Sequence, residues 1–304
     1  MTTVLYCGSG WIDIVPAFQR ALDAKGVDAK VRLRDPARPL REQLAEVDVV
    51  LPSNALFGAA ELECAPRLRL VQQPAVGYEA IELSAARARG VPVCNAPGSN
   101  ADSVAQATVL LLLALARRLK GAQRMFGQAR IGAPIGLELT GRTLVVVGLG
   151  KSGARVARAA EAFGMKVHAI GRADGRAGLL AVLPHADAVT LHAPLTADTR
   201  DLLDDEAFAA MKPGALVVNV ARGGLVSRAA LERALATGRL GGVGLDVFWE
   251  EPWDPADPLF ARDDVVVLPH IAGSTEESFA RIAAIVAHNV AAVLRGEPLQ
   301  HRIA

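Results

Sequence analysis

Gly148-Leu149-Gly150-Lys151-Ser152-Gly153 lies in mid-chain, directly after the apolar run Leu144-Val145-Val146-Val147 and ahead of a helical pattern over Ala154–Phe163. Strand, glycine turn and helix in that order are the context in which a G-x-G-x-x-G spacing signals a dinucleotide site. One glycine permits the tight turn, the next lets backbone approach a pyrophosphate, and the last lets helix and strand pack closely. The helix start then offers N–H groups and a positive dipole end to the phosphates. All six residues are therefore candidate cofactor contacts; the plainer alternative is an ordinary strand–helix turn. A nucleotide fold beginning near residue 142 leaves a large N-terminal segment that needs its own purpose.

Composition narrows the class. At 304 residues and 51% hydrophobic content, the chain can bury two cores and reads as two domains. A net charge of +1, with mixed signs throughout, points away from nucleic-acid and membrane partners. The longest wholly apolar run, Val109–Ala116, is too short to cross a bilayer, and Met1-Thr2-Thr3 leads into a strand-like segment rather than a signal peptide. Cys7, Cys64 and Cys94 are widely spaced and read as free thiols of a reducing compartment. No His, Cys or Asp cluster has ligand-like spacing, so no metal is expected. A cytoplasmic location is expected.

Apolar runs at Thr3–Cys7, Ala29–Leu33, Val47–Leu51, Leu68–Gln72 and Val91–Cys94 alternate with helical patterns, which predicts a parallel sheet covered by helices. Pro97-Gly98-Ser99-Asn100 breaks the alternation. A long helix is predicted from Asp102 to about Lys120, apolar nearly all round and therefore buried, in a core or at an interface. A second strand–helix series starts at Thr143, with strands near Thr143–Val147, Lys166–Ile170, Ala188–Leu191, Ala215–Val220, Gly242–Val247 and Val265–Leu268. A last helix is predicted over about Thr275–Leu294.

Ligands of open parallel sheets bind outside the carboxyl ends of the strands. Arg222, Glu251 and His270 each follow such an end. Singly, they read as a solvated loop arginine, an exposed turn acid and a structural histidine. Together they are the parts needed to reduce a 2-oxo acid. The guanidinium forks onto a carboxylate, the imidazole moves the proton, and the acid keeps that imidazole charged. His168, His185 and His288 read as structural or solvated, and Trp11 as a packing residue that can also line a pocket mouth.

Asn219-Val220-Ala221-Arg222-Gly223-Gly224, Gly244-Leu245-Asp246-Val247-Phe248-Trp249-Glu250-Glu251-Pro252 and Leu268-Pro269-His270-Ile271-Ala272-Gly273-Ser274 resemble the signatures of the D-isomer-specific 2-hydroxyacid dehydrogenase family. So do His192-Ala193-Pro194-Leu195-Thr196 and Asn95–Ala105, and the resemblance runs from about residue 68 to 299. It implies an α/β fold of two parallel-sheet Rossmann-like domains, the nucleotide-binding domain (99–273) inserted into a flavodoxin-like substrate domain (1–98 plus 274–304). Hinges are then expected at Pro97–Asn100 and Gly273–Ser274. It implies that Arg222 holds the substrate carboxylate and carbonyl, that His270 is the acid/base and that Glu251 tunes it. Val76 and Gly77 are then further substrate contacts through their amides. His192, Pro194, Val220, Ala221 and Asp246 become cofactor contacts, with Asp246 at the nicotinamide end.

The chain departs from the pattern after Lys166–Ile170. A carboxylate that bonds the ribose hydroxyls of NAD is usual there, and the sequence instead reads Gly171-Arg172-Ala173-Asp174-Gly175-Arg176. A glycine in place of the acid, with Arg172 and also Arg176 nearby, favours NADP over NAD; Asp174 supplies the alternative in which NAD is kept. The stretch from Arg172 to Ala188 is short, as though one helix–strand excursion were trimmed, and Gln106 replaces the family's common Glu without a functional account. With nothing after Ala304 to form a regulatory domain, a feedback-regulated phosphoglycerate dehydrogenase is not expected. The expected substrate is a small 2-oxo acid of the glyoxylate or hydroxypyruvate type, reduced to the D-2-hydroxy acid. A bulkier oxo acid, or a corepressor-like nucleotide sensor, is the alternative. A homodimer is also expected.

Overall fold

The computed structural model describes residues 1–304. The chain divides into two compact units: Met1–Asn100 with Ser274–Ala304, and Ala101–Gly273. The first crossing between them lies two residues beyond the 98/99 boundary of the sequence reading.

The first unit holds β1 (Thr2–Tyr6), α1 (Val15–Ala24), β2 (Ala29–Leu33), β3 (Val49–Leu51), α2 (Ala59–Glu63), β4 (Leu70–Gln72), α3 (Leu83–Ala88) and β5 (Val93–Cys94). Its sheet is parallel, in the order β2-β1-β3-β4-β5, the flavodoxin-like winding. β3, β4 and β5 are shorter than their apolar runs. Val47, Leu68 and Val91 are buried in the core but sit ahead of the paired residues. The helical pattern at Leu40–Ala45 forms only a 3-10 turn, Leu40–Gln43. The last helix (Glu276–Arg295, α11 below) returns to this unit and packs on α1. Phe18, Leu22, Val286 and Val290 are fully buried there, each contributing about 1.5–3 kcal/mol. By length and composition α11 alone is apolar enough to cross a membrane, and half of that stretch is buried inside the structure.

The second unit holds α4 (Ala101–Ala116), α5 (Leu119–Gly127), β6 (Thr143–Val147), α6 (Lys151–Ala162), β7 (Lys166–Ile170), α7 (Gly175–Val182), β8 (Ala188–Leu191), α8 (Asp205–Ala210), β9 (Ala215–Asn219), α9 (Arg228–Ala236), β10 (Leu240–Leu245), α10 (Pro258–Ala261) and β11 (Val265–Val267). Its sheet is parallel, in the order β11-β10-β9-β8-β6-β7. Strands buried on both faces need continuous apolar runs, and every residue of β6, β8 and β9 is buried. β7 is the sheet edge, and Lys166 and His168 lie exposed on it, as suits an unpaired edge.

The long helix predicted to Lys120 is two helices. α4 stops at Ala116, Arg118 turns back with φ 50°, and α5 begins at Leu119. Leu137 N–H caps the Ala116 carbonyl at 2.7 Å, and Lys120 Nζ donates to the carbonyls of Phe260, Arg262 and Val265. These partners, distant in sequence, redirect the chain. Nor is α4 buried all round: it packs on α6 and on β9, β10 and β11 of its own unit, and Leu110 stays 54% exposed.

Candidate active site

β9, β10 and β11 are neighbours in the sheet, so their carboxyl ends deliver three loops side by side. The first loop carries Arg222. Asn219, fully buried at the end of β9, accepts from Ala221 N–H at 3.1 Å and donates to the Arg222 carbonyl at 2.8 Å. That side chain sets the turn through Val220, Ala221 and Arg222. Val220 itself is buried in the core, leaving only its backbone to a ligand.

The second loop carries Glu251. Trp249 Nε1 donates to the Val226 carbonyl, the Arg228 guanidinium lies 5.5 Å above the Trp249 ring, and Arg228 also pairs with Asp257. Phe248 stacks with Trp253 and meets Phe260 edge-on. Between the first two loops there is no spare room. A Cβ on Gly223 would overlap the Phe248 carbonyl, so only glycine permits this approach.

Glu251 Oε1 accepts from Phe248 N–H at 3.0 Å, and Oε2 lies 2.6 Å from His270 Nδ1. Both side chains of the pair are about one-third exposed, at 33% and 31%. Burial opposes ionisation of Glu251, yet the hydrogen bond and charge of His270, with Phe248 N–H and Arg222, hold its carboxyl below the ordinary glutamate value. A Glu251 carboxylate therefore accepts from Nδ1–H, which fixes the orientation of the ring.

His270 stands at φ 54°, in the left-handed region, which costs a non-glycine residue about 1–2 kcal/mol. Asp246, 1% exposed at the end of β10, meets this backbone with both oxygens. Oδ1 accepts from Ile271 N–H at 2.7 Å and Oδ2 from Ala272 N–H at 2.9 Å. Burial pushes the Asp246 carboxyl up to about 6, against those two amides.

The glycine turn closes β6 onto α6. Gly148 has φ 94°, and a Cβ there would stand 2.7 Å from the backbone of His192 and Ala193. A Cβ on Gly153 would overlap the Gly148 carbonyl oxygen, whereas Gly150, capping α6, has nothing within 4 Å of its Cβ position. Tight turn, open approach and close packing thus fall on the first, second and third glycines, and the amides of Lys151 and Ser152 open the helix. This cradle fits a dinucleotide pyrophosphate. Leu149 is 52% exposed beside it. His192 lies behind it, its Nε2 buried without a partner and its Nδ1 3.4 Å from Ser152 Oγ. Burial pushes this imidazole down to about 4, so it is neutral at pH 7. Pro194 is exposed, its carbonyl accepting from Thr199 Oγ1.

At the end of β7, Gly171 N–H donates to Asp174 Oδ2 at 2.8 Å, and Arg172 is exposed. Arg176, counted above with Arg172, is committed elsewhere: it pairs with Asp204 at 2.7 Å and Glu206 at 2.8 Å. Those acids are 28 and 30 residues away, so spacing gave no hint of them.

In the first unit, the carboxyl end of β4 leads into Gln73–Tyr78. The Ala75 carbonyl accepts from Ala96 N–H at 2.9 Å, that of Val76 from Asn95 Nδ2 at 2.8 Å, and that of Gly77 from Gln73 Nε2 at 2.8 Å. A trans peptide points its N–H opposite its carbonyl, so anchoring three carbonyls aims the N–H groups of Val76, Gly77 and Tyr78 the other way, as an anion nest does. Gln73 and Asn95, 3% and 6% exposed, are supports that the sequence reading missed. Their signal is polar side chains directly after short buried strands. Trp11 packs in the first unit's core and donates to Ser274 Oγ at 3.2 Å. Nowhere do three or more His, Cys, Asp or Glu side chains converge as metal ligands do.

The family profile described as D-isomer specific 2-hydroxyacid dehydrogenase, NAD binding domain, matches residues 109–272. Glyoxylate reductase of Korarchaeum cryptofilum is 39% identical over 255 residues, covering 79% of this chain and 77% of that one. D-3-phosphoglycerate dehydrogenase of Mycobacterium leprae is 40% identical over 295 residues; the match takes in 92% of this chain but only 56% of that relative. Among solved structures, D-lactate dehydrogenase from Aquifex aeolicus, complexed with NAD and lactic acid, superposes with a TM-score of 0.83 at 28% identity, covering 97% of this chain and 96% of that one.

Proposed function

Because the chain belongs to the D-isomer-specific 2-hydroxyacid dehydrogenase family of nicotinamide-dependent oxidoreductases, we propose that it reduces a small, unphosphorylated 2-oxo acid of the glyoxylate or hydroxypyruvate type to the D-2-hydroxy acid. The observation that carries this reading is the 2.6 Å contact of His270 Nδ1 with Glu251 Oε2, on loops adjoining that of Arg222.

A reduced nicotinamide, which the Gly148–Gly153 cradle would hold, would supply a hydride to the carbonyl carbon. Arg222 pairs with the substrate carboxylate and polarises the carbonyl. His270 Nε2 donates the proton to the carbonyl oxygen, and Glu251 stabilises the imidazolium before that step. Within the first unit, the Val76–Gly77 amides are candidate contacts for an anionic group.

Neutral loops support an unphosphorylated substrate. Cys7–Trp11 after β1, Pro52–Phe57 after β3 and Gln73–Tyr78 after β4 carry only uncharged side chains, whereas a phosphate is usually met by Arg or Lys. Initial rates over a panel of oxo acids test this. Glyoxylate or hydroxypyruvate should exceed 3-phosphohydroxypyruvate and phenylpyruvate by about tenfold or more in kcat/KM. A preference for the phosphorylated acid would overturn it.

For the cofactor the proposal is NADPH. Its support is the exposed Arg172 next to Gly171, with Asp174 drawn onto the Gly171 amide. Arg172→Ala should raise KM for NADPH by about tenfold, the loss of one charge-assisted contact, and leave KM for NADH within about twofold. Wild-type protein that used NADH as well as NADPH would assign the ribose contact to Asp174 instead.

A homodimer is proposed from exposed apolar side chains clustered in sequence around α5. Phe126 is 87%, Ile131 101% and Ile135 83% exposed, with Leu110 of α4 at 54%. Burying them against a second copy removes apolar surface that isolated chains rarely display. Sedimentation at micromolar concentration should give twice the chain mass, and Phe126→Glu with Ile135→Glu should halve it; a wild-type monomer would rule the dimer out.

A further inference from the structure

We propose that Asp246 is a positioning residue for His270, its carboxylate clamping the two backbone amides that follow the histidine and so holding the imidazole in line with Glu251. The proposal rests on His270 being the acid/base. It adds to the cofactor-contact role implied by resemblance: each Asp246 oxygen accepts one amide inside the protein, and a carboxylate oxygen can still accept a second hydrogen bond.

The geometry is specific. Asp246 is held from behind, its own N–H donating to the Asn219 carbonyl at 3.0 Å. In front, Oδ1 and Oδ2 each take one amide, from Ile271 and Ala272 in succession. His270 precedes that pair and adopts a φ of 54°, a conformation that persists in a side chain of this size only when its surroundings over-determine it. Two charge-assisted bonds to consecutive amides do that. One further bond, His270 N–H to the Leu268 carbonyl at 3.0 Å, closes the turn on its other side. The imidazole then reaches Glu251 without searching, and misplacement by about 1 Å costs about a hundredfold in rate.

Asp246→Asn tests the clamp. The amide keeps the size of the side chain, but one of its two heads becomes a donor facing a donor. Kcat for 2-oxo acid reduction should fall about 30- to 100-fold, while Kd for NADPH, read by fluorescence in the absence of substrate, stays within about threefold. The His270 ring resonances should shift, since the ring loses its fixed alignment on Glu251. Loss confined to NADPH affinity would overturn the clamp in favour of a cofactor contact, and an unchanged kcat would overturn it outright.

Hydrogen exchange on the wild-type protein decides the matter even if the variant fails to fold. Ile271 is 43% exposed and lies outside any helix or strand, so its amide should exchange at least about a hundredfold slower than an open one only if Asp246 holds it. Exchange at the intrinsic rate would overturn the clamp. His270→Ala, assayed alongside, keeps the two readings apart. If it retains activity within about tenfold, the acid/base reading fails, whereas a dead His270→Ala with a fully active Asp246→Asn defeats the clamp alone.

Discussion

Replacing His270 with alanine is expected to lower kcat by 100- to 10,000-fold, about the range a positioned general acid contributes. Binding of NADPH in the absence of substrate should be nearly unchanged. The imidazole sits on the β11 loop, while the phosphates are assigned to the cradle between β6 and α6, with three strands between β11 and β6 in the sheet order. The pH behaviour carries a sign. In the wild type, His270 helps hold the Glu251 carboxyl below its ordinary value. A depressed carboxylate contributes stability that is present above its unfolded pKa and is lost as pH falls through the folded one. Removing the imidazole leaves burial opposed only by Phe248 N–H and Arg222, so the Glu251 carboxyl should move upward, read by carbon NMR of the labelled side chain. A Glu251 pKa that stays put in His270→Ala would detach the two residues, and a loss of kcat below about tenfold would remove His270 from the proton transfer.

Gly223→Ala should be nearly as damaging, although the residue touches no reacting atom. Its new Cβ would overlap the backbone carbonyl of Phe248, not the tip of a flexible side chain. Nothing there can rotate away, so the β9 and β10 loops must separate. The separation moves Arg222 relative to Glu251, and a shift of about 1 Å costs about a hundredfold in kcat/KM. Overpacking of this kind also costs about 1–3 kcal/mol of stability. Thermal unfolding and kinetics on the same sample separate the two effects. Wild-type kcat/KM in a folded Gly223→Ala would show that the loops have slack.

The strands were legible because a parallel sheet buries both faces and writes itself as short apolar runs. Ala29–Leu33, Thr143–Val147, Lys166–Ile170 and Ala188–Leu191 carry the same bounds in sequence and structure. The runs over-extend at Val47, Leu68 and Val91, since burial alone makes those residues apolar and pairing starts later. The break at Arg118 was not legible, because what ends α4 is a donor from Leu137 and what anchors α5 is a set of carbonyls beyond Phe260.

The candidate site divides in the same way. Arg222, Glu251 and His270 stood out as polar residues at strand ends of one sheet. The residues that aim them did not. Asn219 looks like part of a turn, Asp246 stood out only as a cofactor contact implied by resemblance, and Gln73 and Asn95 look like surface polar residues until their burial and partners are known. Arg176 shows the reverse error: a charge that looked available in sequence is fully engaged by Asp204 and Glu206.

The most direct test of the whole account is to incubate the protein with hydroxypyruvate and NADPH and determine the configuration of the product by chiral chromatography. One D-2-hydroxy acid should form for each NADPH consumed. Formation of the L-isomer, or no turnover of glyoxylate or hydroxypyruvate by protein that still binds the nucleotide, would contradict it.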